Sequence, residues 1–167
     1  MRPQYLLSIV AVNITLAATA LGVTHFEREV VFLYQPDAPL RARLESANDL
    51  AAYIKRLQAA GTAFFASEQT PERLDVVVGV KPGKKVRVWL ISSRRTSGDK
   101  RLILLRKKLE AIPPCNVHAG PIAFALRWTI AETPTAAKLP IPKEWRDAAA
   151  GKNLSVPDGI FARVWSD

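Results

Sequence analysis

Few residues of this 167-residue chain are of the type that does covalent chemistry, and two of them sit close together. Cys115 and His118 are spaced C-x-x-H in the segment Pro113-Pro114-Cys115-Asn116-Val117-His118. A thiol beside an imidazole can form a nucleophile and its base, and both side chains are zinc ligands. Zinc needs three or four protein ligands, yet the chain has this one cysteine and one further histidine, His25. No metal or cofactor is therefore expected, and no disulfide can close within the chain. A Cys115/His118 pair stands as the alternative chemistry, that of an enzyme of unassigned reaction. Ser92, Ser93 and Ser97 lack the G-x-S-x-G frame of a nucleophile elbow. Ser97-Gly98 ahead of a helix could present backbone N–H groups to an anion or act as an ordinary cap. Phosphate-binding loops, dinucleotide fingerprints and paired carboxylates are missing, so no catalytic residue is assigned.

The stronger signal is charge. Of 24 Lys and Arg, twelve lie between Arg73 and Lys108 against two acids, Asp75 and Asp99, so this window carries +10 of a net charge of +9. Such a concentration predicts attraction to an anionic partner. The residues expected to bind are Arg87, Trp89, Arg94, Arg95, Lys100, Arg101, Lys107, Lys108 and Arg127. Arg87, Trp89 and Arg127 should be neighbours on one sheet face, where an aromatic between arginines suits stacking on bases or sugars. The competing expectation is that the C-terminal tail covers that face and buries its own aromatics there.

These residues need elements to hold them. Hydrophobic residues at 49% and charged at 23% are values of a globular chain, and the length suits one domain. Leu74, Val76, Val78 and Val80 alternate on one face of a strand, and Val86, Val88 and Leu90 on a second. A two-residue Pro82-Gly83 turn would set valines opposite charges. Burial should override it, pairing Val78 with Val88 across a longer loop that includes Lys84. Asp99 opens a helix whose buried stripe is Leu102, Leu105, Leu109 and Ile112 and which Pro113-Pro114 ends. Ile122, Phe124, Leu126, Trp128 and Ile130 point inward on a further strand. Ahead of this unit, Glu29–Tyr34 reads as a short strand. A helix capped by Ser46 or Asn48 follows, with Leu50, Tyr53, Ile54 and Leu57 inward and Gly61 at its C-terminal end.

Residues 1–23 read as an export segment. Arg2 precedes an apolar Leu6–Leu16, and Ala18-Thr19-Ala20 is a small-x-small cleavage pattern. The alternative is a retained anchor. Either places the folded part in the periplasm or outside the cell. Residues 24–131 form the α+β domain, and residues 132–167 a Pro-rich connector and tail, with a helix near Lys143–Ala150 and a strand over Ile160–Trp165.

The central unit resembles the C-terminal periplasmic module of the TonB/TolA type. The residues that carry the resemblance are the hairpin Val76–Leu90, Ser92-Ser93 with Ser97-Gly98, the leucines from Leu102 to Leu109, Pro113, and Ile122–Ile130. The fold implied is a β-β-α-β core: a small, mainly antiparallel sheet of three or four strands with two helices on one face. The role implied is protein contact in the envelope by addition to a sheet edge, without catalysis. The expected partner is an envelope protein or an anionic surface. A nucleic-acid-binding domain acting through Arg87, Trp89 and Arg127 is the further alternative, which export disfavours and a cytosolic N-terminus would allow. Membrane contact is expected only through an uncleaved N-terminal segment.

Overall fold

A computed structural model of the chain describes residues 30–68, 70–130, 138–150 and 155–165. The export segment expected over residues 1–23 lies outside these, as do Glu29, Ala131 and residues 132–137 of the connector. The described elements run β1 (Val30–Leu33), α1 (Asp37–Arg43), α2 (Ala47–Phe64), β2 (Glu72–Lys81), β3 (Lys85–Ser92), α3 (Lys100–Glu110), β4 (Ile122–Ile130), α4 (Lys143–Ala149) and α5 (Asp158–Val164). The four strands make one antiparallel sheet in the order β1-β4-β2-β3. This is an α+β protein with a small antiparallel sheet.

Burial of alternate residues decides the register. Val78 pairs with Val88 and Val80 with Val86, leaving Pro82-Gly83-Lys84 as the loop. Lys84 takes φ 61°, the left-handed region, which lets the strands close in that register. Val76, Val78, Val80, Val88, Ile122, Phe124, Leu126 and Trp128 form a floor. Leu40 and Leu44, Tyr53 and Leu57 of α2, and Leu102, Leu105 and Leu109 of α3 pack onto it. Ser46 caps α2 by accepting from Asn48 N, and Asp99 caps α3 by accepting from Arg101 N and Leu102 N. Each cap contributes about 1 kcal/mol.

One element is added and two local expectations are corrected. α1 is an additional helix of about two turns after Pro36, held by the burial of Leu40. Gly61 does not end α2, which runs on to Phe64. Its role is steric, because a Cβ there would stand 2.5 Å from Cη2 of Trp128. Finally, Ile160–Trp165 is helical. A strand would separate Ile160 from Phe161, whereas both are buried while Ala162 and Arg163 face water, and only a helix gives that spacing.

Candidate functional site

Residues 115–118 run in an extended course beside Leu44, which bridges to Val117. Their side chains alternate: Cys115 and Val117 enter the core, while Asn116 and His118 face outward. Cys115 is 3% exposed, and burial pushes its thiol up to about 11. The C-x-x-H spacing therefore separates the two groups. The thiol is a core side chain without its base, which removes the geometry on which the enzymatic alternative depends. Among the described residues, no group of three or more His, Cys, Asp or Glu is placed to hold a metal ion.

The second sheet face does hold Arg87, Trp89 and Arg127, and the tail closes it. Val77, Gly79, Ala123 and Ala125 are small enough to leave a shallow trough. Into it come Trp145 from α4 and Phe161 from α5. Trp89, 7% exposed, stacks on Phe161 at a ring separation of 5.7 Å and meets the edge of Trp145 at 5.2 Å. Its indole N–H donates to Glu144 Oε2 at 2.8 Å. Arg87 donates to the carbonyl of Val164 and lies 3.7 Å from the Glu144 carboxylate. Arg127 makes a two-pronged pair with Asp75 at 2.6 and 3.0 Å, donates to Lys138 O at 3.0 Å, and lies over Phe32. Tyr34 donates its hydroxyl to Pro140 O, and burial drives its pKa far above the ordinary tyrosine value, so it stays a donor. All three sheet-face residues hold the tail, and none presents a stacking platform.

The basic window also meets carboxylates from outside itself. Glu72 is fully buried; one oxygen accepts from Ser92 Oγ at 2.6 Å, and the other lies 2.9 Å from Arg95. Glu68 takes Arg95 at 3.0 Å and Arg101 at 2.6 Å on one oxygen. A hydrogen bond from the Thr70 side chain, then those from Arg95 and the Thr70 backbone, hold the Glu68 carboxyl down at about 2 against the opposing effect of burial. Ser92 Oγ accepts from the backbone N–H of Arg94 and Arg95. The Ser92-Ser93 stretch is thus the knot that turns the chain from β3 toward α3.

What remains open is the outer face of α3. Leu102, Leu105 and Leu109 point into the core. Lys100, Leu104 and Lys107, at spacings of four and three, therefore run along the opposite side over about 10 Å. Leu104 is 50% exposed. Arg94, Lys100, Arg106 and Lys107 are exposed and make no ion pair among the described residues. Lys108 is exposed and lies 5.6 Å over the Phe64 ring.

The outer edge of β3 is a second place where a partner could join. Here Val88 N already donates to Glu110 Oε1 at 3.0 Å, so the acid at the end of α3 occupies the middle of that edge. Glu68, Glu72, Glu110 and Glu144 went unmatched to the basic window in the sequence because they lie outside it. Asp75 could have been paired with Arg127, since the inward valines of β2 force Asp75 onto the face that Arg127 shares.

Compared with models of protein families, with curated proteins and with solved structures, the chain finds no match.

Proposed function

We propose that this chain is a non-catalytic, exported interaction module that holds an anionic partner against the outer face of α3. The observation that carries the reading is the division of the basic residues. Arg87, Arg95 and Arg127 are taken up by internal carboxylates and carbonyls. Lys100, Arg106 and Lys107 of α3, with Arg94 in the loop before it, keep their charge toward water. Cations left without carboxylates on a rigid helix attract anions without choosing a shape, which is the behaviour of a docking surface. Export is supported by Arg2, the apolar run Leu6–Leu16 and the Ala18-Thr19-Ala20 pattern. The resemblance to the TonB/TolA type points to the same envelope setting. The Glu110 contact on β3 favours the helix face over strand addition as the mode of contact.

The test is retention of the full chain on a soluble polyanion, inorganic polyphosphate, as a function of salt. Binding should weaken steeply as salt rises, and Lys100→Gln with Lys107→Gln should lower the log–log slope by about two. Cys115→Ala should leave binding unchanged. Failure to bind polyphosphate at low salt, or a slope indifferent to the lysines, would overturn the reading.

A further inference from the structure

We infer that the anionic partner of α3 is a phospholipid bilayer, with Leu104 entering the headgroup boundary between Lys100 and Lys107. This rests on the reading of α3 as an anionic docking face and goes beyond it by naming the occupant. Two large apolar side chains are exposed by more than a third among the described residues, Leu104 at 50% and Ile141 at 45%. Leu104 is the one that stands within the uncompensated cationic stripe. A soluble polyanion offers a bare leucine nothing, whereas a bilayer removes it from water. Lysines suit that position because their long stems lie along an apolar boundary while the ammonium groups reach the phosphates.

The same face argues against a nucleic acid. Base stacking needs an exposed aromatic. Trp89, inside the basic window, is roofed by Trp145 and Phe161, and Phe64, beside α3, is half-buried with Arg101 and Lys108 over its ring. Lysine and arginine side chains near an anionic membrane each contribute about fivefold in affinity, and three or four of them give reversible adsorption, not insertion. The helix itself stays packed, since Leu102, Leu105 and Leu109 are committed to the core.

The experiment is co-sedimentation of the full chain with vesicles of phosphatidylcholine alone and of equal parts phosphatidylcholine and phosphatidylglycerol. Binding to the anionic vesicles only, and its loss at high salt, is the expected result. Leu104→Gln should weaken vesicle binding about fivefold and leave polyphosphate retention unchanged, while Lys100→Gln/Lys107→Gln should lower both. Leu104→Cys supplies a second readout, because Cys115 is the chain's one native cysteine and is buried. An environment-sensitive probe at position 104 should then report an apolar surrounding on anionic vesicles. Equal binding to neutral vesicles would overturn the inference, as would a probe that stays in water, a Leu104→Gln variant that binds vesicles as the parent does, or tighter binding to single-stranded RNA. If polyphosphate retention survives these results, the docking face stands and only the lipid assignment falls. If polyphosphate is not retained at all, both fall.

Discussion

The two faces of the sheet are packed on opposite plans. On one, the valines of β2 and β3 and the larger apolar side chains of β4 lie beneath the leucines of α2 and α3, which span 18 and 11 residues. On the other, a floor of Val77, Gly79, Ala123 and Ala125 lies beneath Trp145 and Phe161, carried by two helices of seven residues each. Helices of seven residues do not hold themselves in water, so the second layer exists only because its aromatics are buried and because Arg87, Trp89 and Arg127 bond its carbonyls and Glu144. The buried Trp145 indole N–H has no partner among the described residues. The first face spreads its stability over many similar contacts. The second concentrates it in a few anchors, and one of those is an ion pair.

That difference is open to attack at the ion pair first. Asp75→Ala leaves the Arg127 guanidinium buried without its counter-charge and should cost about 3–5 kcal/mol in urea unfolding. Asp75→Leu combined with Arg127→Met should recover most of the loss, since apolar replacements of a buried pair are often neutral. A small effect of Asp75→Ala alone would mean that the second face is not anchored as argued.

Truncation of one large side chain on each face comes next. Leu105→Ala and Phe161→Ala should each cost about 3 kcal/mol, because both side chains are fully buried. The difference lies in what opens. Loss of Leu105 should raise amide exchange throughout the sheet. Loss of Phe161 should release α4 and α5 first, with β2 and β4 still protected. Uniform exchange in both variants would show that the two layers fold as one unit.

A smaller contrast uses the two glycines that admit rings. A Cβ at Gly61 would lie 2.5 Å from Trp128, and one at Gly79 would lie 2.5 Å from Phe161. The contacts are equally close, but Trp128 is locked in the larger core while Phe161 rides on a short helix. Gly61→Ala should therefore cost about 1–3 kcal/mol and Gly79→Ala about 1 kcal/mol, read as the shift in the urea midpoint. The reverse order would mean that the tail is the stiffer layer.

The same contrast explains what could be read from sequence. The period-two valines of β2 and β3 and the stripe Leu102, Leu105, Leu109 belong to elements long enough for periodicity to appear, and they gave the sheet, its register and the helix-covered face. The tail offered seven-residue segments in which Ile160–Trp165 has β-like composition. Only its docking against the trough settles it as a helix. The Cys115/His118 pairing failed because sequence distance says nothing of direction in an extended segment. The basic window failed in part because charge counting ignores acids that return from elsewhere. Lys100 and Lys107 were separable from Arg95 only once Glu68 and Glu72 were in place.

The smallest expected effect concerns how acid acts on that cluster. Glu68 is held at about 2 against an ordinary value of 4.5, through Thr70, Arg95 and Arg101. Between those two values the unfolded chain binds a proton that the folded chain refuses, so stability falls as pH drops through this window. Above about pH 5 the full contribution is present; below 2 both forms are protonated and it is gone. Glu68→Gln should cost about 1 kcal/mol at neutral pH, because solvent screens the exposed Arg101 and Arg95 keeps Glu72. That is well under the roughly 3 kcal/mol that an unscreened displacement from 4.5 to about 2 would carry. The gap between variant and parent should close as pH falls from 4.5 toward 2. Urea titrations across that range measure the closure, and a carboxyl NMR titration of Glu68 locates its midpoint. A midpoint near 4 would mean that Arg95 is held by Glu72 alone. Arg101 would then be free to join Lys100 and Lys107 on the outer face, and the cationic surface of α3 would be larger by one charge.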